Sequence, residues 1–428
     1  MIISNITTPL LGIVDTAILG HLSGAHLLAG VAIASTLITA LVWLFGFLRM
    51  SITGMTSQAL ANTQAPKDAA TQLFVQGAFI ALLTSFIFLL LSPAYLKIGL
   101  WFADTTTETI KSASDYFNIR IFSLPASLLN LVLVGWLLAH GHAKQIMWIQ
   151  ILINLMNVVL DLVTVYLLQM GVKGVAVASL IAEYTGLIGY LYFAYPKLKL
   201  SALANWPKFL KLSAYKPFLR VNRDILLRTL MLEISFVFLT MQGARIGVNY
   251  VAVNAVLMNF LLLISLGLDG IAYAAEVLVG KQYGGKNYSA LKSTIRNCLN
   301  LSLLLAFLYT LIFALFGQSI IYLMTDIEVI RVLAADYIIY IILLPLTAVW
   351  CFLYDGVFIG LADSKSMRNS MAMAVFGVFF PVWYVSQSLG NHALWLALHA
   401  MMIARGVSLW WKIPVYTQPG VGVNDKND

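Results

Sequence analysis

Six acidic side chains interrupt stretches of this 428-residue chain that are otherwise apolar: Asp15, Asp161, Glu233, Asp269, Glu276 and Asp355. A charge at the centre of a lipid bilayer costs roughly 2.5–3.5 kcal/mol on insertion scales, so a carboxylate in such a place is a candidate functional group. Enclosed by apolar protein, a carboxyl group can bind and release a proton near neutral pH. The chemistry that these residues suggest is therefore reversible proton binding.

Two predicted helices each carry a polar stripe that ends in an aspartate. The stripes are Asn5, Thr8, Gly12 and Asp15 in the first predicted helix, and Gln150, Asn154, Asn157 and Asp161 in the fifth. Both sets follow helical spacing, which places each of them on one face of its helix. We expect the two faces to line one hydrated pocket in the N-terminal half. The expected proton-coupling residues are Asp15, Asp161, Asn157, Asn154 and, from the sixth helix, Ser179.

Other acids form a second group of candidates. Glu183 follows Ser179 by one helical turn, and Glu233, Glu276 and Asp355 belong to the C-terminal half. Asp269, Glu276 and Asp355 lie closer to span ends, where headgroup water could solvate them. The alternative for each acid is a structural hydrogen bond between helices or a side chain that reaches the membrane surface.

Pro9 lies within the first predicted helix, six residues before Asp15. Proline cannot donate a backbone hydrogen bond and clashes with the preceding turn, so a kink is expected there. A kinked helix that bears a titratable group can switch between two shapes. We hypothesise that protonation of Asp15 changes this bend and expels substrate.

Composition requires a membrane setting for these helices. The chain is 61% hydrophobic and 10% charged, with a mean hydropathy of +0.88, and residues 297–325 contain no charged side chain. A spanning segment must satisfy its own backbone hydrogen bonds, and roughly 20 helical residues cross a bilayer. About twelve such spans are predicted. Lys and Arg concentrate in the loops after even-numbered spans, which predicts that those loops and both termini are cytoplasmic.

The chain divides into two similar halves. Tyr116, Gly135 and Lys144 recur 221 residues later as Tyr337, Gly356 and Lys365. The predicted domains are an N-terminal six-helix lobe (1–196), a basic cytoplasmic linker (197–224), a C-terminal six-helix lobe (225–414) and a cytoplasmic tail (415–428). The predicted fold class is all-α integral membrane, with twelve transmembrane helices in two pseudo-twofold related lobes around a central cavity.

Several other functions are excluded. The string 280–287 resembles a phosphate-binding loop but ends in Asn287 where Ser or Thr is required, and no strand precedes it. His140 and His142 lack Cys or acidic neighbours for a metal site, and Cys298 and Cys351 lie in apolar spans. The net charge of +8 is dispersed among loops, which argues against nucleic-acid binding. We expect no enzyme activity, no cofactor and no bound metal.

Several strings resemble the multidrug and toxic compound extrusion (MATE) family. They are Pro9 to Leu22 with its Val14-Asp15-Thr16 core, Leu48 to Ser51 with Thr53-Gly54, Asn154 to Asp161, Ile181 to Tyr184, and Asp355 to Gly360. Together they look like the branch named for DNA-damage-inducible protein F. The resemblance spans nearly the whole chain.

The resemblance implies export of organic, cationic or amphiphilic compounds against an inward flow of protons or sodium ions. It implies a coupling site at Asp15, Asn157 and Asp161, with Ser179 beside them. We expect a proton-coupled antiporter that works by alternating access, as a monomer in the inner (plasma) membrane, with small organic substrates and the lipid bilayer as its partners. The alternatives are sodium coupling on the same fold and a flippase for lipid-linked precursors, which would need a strongly basic cavity.

Overall fold

The structure is a computed structural model that describes residues 25–62, 66–103, 105–199 and 212–417. All regular elements in these ranges are helical, which confirms the predicted fold class. By its internal contacts the chain separates into two compact units, Met1–Phe218 and Leu219–Asp428. A long helix, Leu212–Ile246, begins inside the segment 197–224 that the sequence assigns to a linker.

The first unit is built from long helices joined by short turns. In chain order the helices are α1 (Ala25–Leu44), α2 (Phe47–Ala61), α3 (Pro66–Ala103), α4 (Thr107–Arg120), α5 (Leu124–Ala139), α6 (Ala143–Leu162) and α7 (Gly171–Ala194). Helix α1 packs on α4, α2 packs on α5, and α7 contacts α4, α5 and α6. Helix α7 therefore packs against each of the three helices that precede it.

Local sequence explains where several of these helices begin and end. The Thr106 side chain accepts a hydrogen bond from the Thr109 backbone N–H and so caps α4. A single 3-10 turn, Ile121–Ser123, separates α4 from α5 just before Pro125. Proline is tolerated in the first turn of a helix because the N–H there has no intrahelical acceptor. A continuous apolar span is thus divided where Pro125 starts a new helix.

The second unit repeats this architecture. Its helices are α8 (Leu212–Ile246), which begins within the last residues of the first unit, α9 (Val248–Gly284), α10 (Tyr288–Met324), α11 (Glu328–Asp336), α12 (Ile338–Gly360), α13 (Ser364–Ala372), α14 (Phe380–Ser386), α15 (Asn391–Trp410) and α16 (Ile413–Thr417). Helix α12 lies at the centre, where α9, α10 and α15 pack against it. Asn287 caps α10 and Asp363 caps α13 through their side-chain oxygens.

The glycines of the sequence repeat make equivalent contacts in the two units. A Cβ atom on Gly135 would lie 2.5 Å from the carbonyl oxygen of Arg49, and one on Gly356 would lie 2.5 Å from that of Ala272. Only glycine lets two helix backbones approach this closely. The contacts α2–α5 and α9–α12 are therefore the same close helix pair, formed once in each half.

The outer surface of both units is apolar. Ten helices within the described ranges are long and apolar enough to cross a membrane. Side chains such as Phe86, Leu90, Leu304, Phe307 and Leu315 are 60–67% exposed. Exposing so much apolar surface to water is energetically unfavourable, whereas contact with lipid tails is favourable. The chain is a multi-pass integral membrane protein.

Candidate functional site

Helix α6 buries the polar residues of its second half and exposes apolar residues between them. Asp161 is fully buried and Asn157 is 1% exposed, while Leu155 and Val159 on the opposite side are 58% and 45% exposed. This is the reverse of a helix in a water-soluble protein, and it fits a helix that faces lipid with one side. The predicted stripe of the fifth span is therefore directed into the first unit.

Helix α7 supplies a partner for this stripe. The amide nitrogen of Asn157 donates to the Ser179 hydroxyl at 3.2 Å, and Ser179 is 7% exposed. The amide nitrogen of Gln150 donates to the Asn154 side-chain oxygen at 3.3 Å. Among the described residues, Asn157 Oδ1 and Asn154 Nδ2 are buried without a hydrogen-bond partner. The site thus combines a buried carboxyl group with an amide oxygen that has capacity for a further ligand.

The helix changes its winding two residues after Asp161. Val163–Leu167 form a π-helical turn, in which the Leu168 N–H donates to the Val163 carbonyl at 3.0 Å. Thr164 within this turn is buried, and its Cβ and Oγ1 atoms lie against Gly174 of α7. Such wide turns occur frequently at functional sites because they re-aim the side chains beside them. Sequence reasoning identified Asp161 and missed this turn.

Glu183 has partners of a different kind. Its carboxylate accepts from the Asn130 amide at 3.1 Å and lies 3.6 Å from the Arg120 guanidinium group. Asn130 also donates to the Glu183 backbone carbonyl at 3.1 Å. These contacts join α4, α5 and α7, which fits the structural role that was the alternative for this acid.

The remaining predicted residues of the N-terminal pocket lie at the start of the chain. Asp15 and Pro9 are outside the described residues, as are Asn5, Thr8 and Gly12. The shared pocket of two aspartates and the kink at Pro9 therefore stay predictions. Ser179, Asn154, Asn157 and Asp161 form the part of the site that the structure describes.

The acids of the second unit differ in their surroundings. Glu233 is half-buried and Glu276 is 1% exposed. Asp355 lies within α12 and pairs with two buried arginines, Arg228 and Arg405. Sequence reasoning expected headgroup water near Asp355 and missed both partners. The signal was present, because each arginine is a charged residue inside an otherwise apolar predicted span.

No group of three or more His, Cys, Asp and Glu side chains within the described ranges is arranged to hold a metal ion. Cys298 and Cys351 are both free and buried, as the sequence predicts for packing cysteines.

A membrane-spanning helical bundle with polar side chains directed into its interior is typical of a membrane transporter. Comparison with known proteins gives its family. The chain belongs to the MatE family, whose sequence model matches residues 1–163 and 225–385, one stretch in each half. Members of this family are transporters and not enzymes. The resemblance inferred from the sequence motifs is thereby confirmed.

Two relatives and one solved structure illustrate the similarity. The chain is 41% identical over 412 residues to DNA damage-inducible protein F of Escherichia coli (strain K12), covering 96% of this chain and 89% of that protein. It is 24% identical over 392 residues to a probable multidrug resistance protein NorM of Bacillus cereus (strain ATCC 10987 / NRS 248), covering 90% and 84%. A crystal structure described as MATE in the bent conformation matches with a TM-score of 0.86 at 19% identity, over 97% of this chain and 93% of that one. The fold is that of MATE transporters, which have twelve membrane helices in two lobes.

Proposed function

We propose that this transporter is a proton-coupled antiporter that exports organic, cationic or amphiphilic compounds from the cytoplasm by alternating access. The name of the Bacillus cereus relative, a probable multidrug resistance protein, supports drug-like substrates. The expected setting is the inner (plasma) membrane, with both termini cytoplasmic and the chain acting as a monomer.

The observation that carries the proposal is the complete burial of Asp161 beside Asn157 and Ser179. In such a place the neutral carboxylic acid is favoured over the anion unless a cation or donor compensates the charge. Proton binding and substrate binding can therefore compete for one site. A ligand shifts the equilibrium between two conformations only through its different affinity for them, and competition of this kind supplies that difference.

The test is efflux of a fluorescent organic cation from proteoliposomes under an imposed pH gradient or an imposed sodium gradient. Wild type is expected to respond to the pH gradient. Asp161→Asn is expected to lose that response, because a side-chain amide does not bind and release a proton near neutral pH. Asp115→Asn is the matched control, since Asp115 forms a 3.6 Å surface ion pair with Lys173 in the same unit. Asp15→Asn tests the predicted second aspartate in the same assay.

Sodium coupling is the second candidate, and the Asn157 side-chain oxygen favours it. This buried oxygen lacks a hydrogen-bond partner among the described residues and, with the Asp161 carboxylate, offers the hard ligands that sodium prefers. Efflux driven by a sodium gradient at equal pH on both sides would identify sodium, in place of the proton, as the coupling ion. Equal efflux by wild type and Asp161→Asn under both gradients would contradict a coupling role for Asp161.

A further inference from the structure

Three charged side chains meet inside the second unit. Arg228 of α8 and Arg405 of α15 both donate from Nη2 to one oxygen atom, Oδ2 of Asp355 on α12. The contact from Arg405 is 2.6 Å long. Arg228 is 8% exposed and Arg405 is 5% exposed. A buried ion cluster therefore joins α8, α12 and α15 of this unit.

The cluster carries one more positive charge than negative charge, and it has more N–H donors than acceptors. Two guanidinium groups face one carboxylate, and each guanidinium carries five N–H donors. Apart from Asp355, Arg405 finds the sulfur of Met402 at 3.6 Å, which is a weak acceptor. The Nε of Arg228 is buried and has no hydrogen-bond partner among the described residues. A buried charged donor without an acceptor is strongly unfavourable unless a ligand accepts its hydrogen bond.

Within the described contacts, no neighbouring side chain accepts a hydrogen bond from the Arg228 Nε. Cys351 is fully buried and directs its thiol to the Ala348 carbonyl and to the Met402 sulfur. Asp224 lies one turn before Arg228, but its carboxylate accepts from Arg368 at 2.8 Å and from Arg223 at 3.0 Å. The Asp355 side chain keeps 14% of its surface exposed, so the protein does not fully enclose the acidic side of the cluster.

We propose that Arg228, Asp355 and Arg405 form a binding site for one anionic group, which is either a carboxylate of a transported compound or a small inorganic anion. The Nε and Nη donors of Arg228 lie in one plane, the arrangement that matches the two oxygens of a carboxylate. Asp355 holds the two arginines in place and offsets one of their charges. A compound with both a cationic group and a carboxylate would use this site for its negative end.

A role of this site in export rests on the proposed function, whereas binding of an anion does not. The test therefore measures binding with the purified full chain in detergent. The buffer is HEPES neutralised with N-methylglucamine, and the probes are the N-methylglucamine salts of benzoate and chloride at constant ionic strength. The readout is the midpoint of thermal unfolding, followed by tryptophan fluorescence.

Wild type is expected to show a saturable rise of the midpoint with benzoate. Arg228→Gln leaves one arginine paired with one aspartate, so the folded cluster stays balanced, but benzoate affinity should fall roughly ten- to a hundredfold. Arg368→Gln is the matched control, because Arg368 also pairs with a buried aspartate of this unit and should leave the response intact. Asp355→Asn adds net positive charge and should tighten anion binding.

The opposite effects of Arg228→Gln and Asp355→Asn separate a binding site from a purely structural ion cluster, which would be destabilised by either change without a new anion dependence. A response to benzoate alone identifies an organic carboxylate as the ligand, and an equal response to chloride identifies an inorganic anion. An absent response in wild type, or an unchanged one in Arg228→Gln, would overturn the proposal. Efflux driven by the pH gradient reports on Asp161 separately, so the two proposals fail independently.

Discussion

Among single residues, Glu183 is predicted to stabilise the fold without taking part in coupling. Glu183→Gln keeps an oxygen that can accept from Asn130 and Arg120 and removes only the charge of a partly exposed ion pair. The expected loss is therefore at most about 1 kcal/mol of stability. The thermal midpoint should fall slightly while efflux under a pH gradient persists. Loss of efflux at an unchanged midpoint would instead place Glu183 among the coupling residues.

His142, in the turn between α5 and α6, predicts a pH dependence of stability. Burial, together with the charge of Lys197, lowers the pKa of His142 below its ordinary value of about 6.5. Above that value the imidazole is neutral in both the folded and the unfolded chain. As the pH falls below it, the unfolded chain binds the proton first, so folding stability declines until the folded pKa is passed.

The measurement compares the thermal midpoints of wild type and His142→Gln at about pH 7.5 and about pH 5.5, on either side of the ordinary value. Wild type should lose more stability than the variant between these two conditions. Parallel pH profiles of the two proteins would show that another group is responsible.

Sequence reasoning identified residues of the site where helical spacing alone brings them together. Asn154, Asn157 and Asp161 share a face because they lie on one helix, and the apolar surroundings indicate that this face is buried. The pairing of Asp355 with Arg228 and Arg405 spans 127 and 50 residues of chain. Each arginine stands out in the sequence as a charge within an apolar span, but no periodicity connects these positions, so only the tertiary structure reveals that both pair with Asp355.

At the scale of helices, the equivalent glycines Gly135 and Gly356 allow the same substitution to be compared in the two halves. Gly135→Ala and Gly356→Ala each place a methyl group 2.5 Å from a carbonyl oxygen of the neighbouring helix. Backbone atoms in a packed helix cannot yield cheaply, so each change should lower the free energy of unfolding by about 1–3 kcal/mol. Thermal midpoints of the purified variants measure this, and the two losses should be similar.

Gly377→Ala is the control for these two changes. A Cβ at Gly377 would meet its nearest neighbour, the Met373 side chain, at 3.8 Å, which is an ordinary contact. The helical propensity of alanine then makes the change neutral or mildly stabilising. Equal losses at all three glycines would mean that flexibility of the glycine backbone matters more than the close helix contact.

The helices themselves were predictable, and their irregularities were not. Runs of apolar residues define each span, because a membrane helix needs roughly 20 of them. The π-helical turns at Val163–Leu167 and Met373–Phe379 leave no mark in composition or spacing. They depend on how side chains of adjacent helices fit together, and that information is absent from a local window of sequence.

For the whole molecule, the distribution of basic residues predicts orientation. Lys67, Lys144, Lys281 and Lys365 all follow even-numbered spans, which predicts a cytoplasmic location for those loops and for the C-terminus. Green fluorescent protein fused to the C-terminus should therefore fluoresce in cells. Alkaline phosphatase should be inactive at the C-terminus and active when inserted between α3 and α4. The reverse pattern would invert the topology and the direction of the proposed export.

The close approach of α2 to α5 and of α9 to α12 has a consequence for sequence divergence. The separation of each pair is set by a main-chain oxygen that faces a position without a side chain. Main-chain atoms are the same in every protein, so substitutions elsewhere along these helices leave that spacing untouched. Only the missing Cβ has to persist. A bundle held together at such points can change most of its other residues and keep its shape.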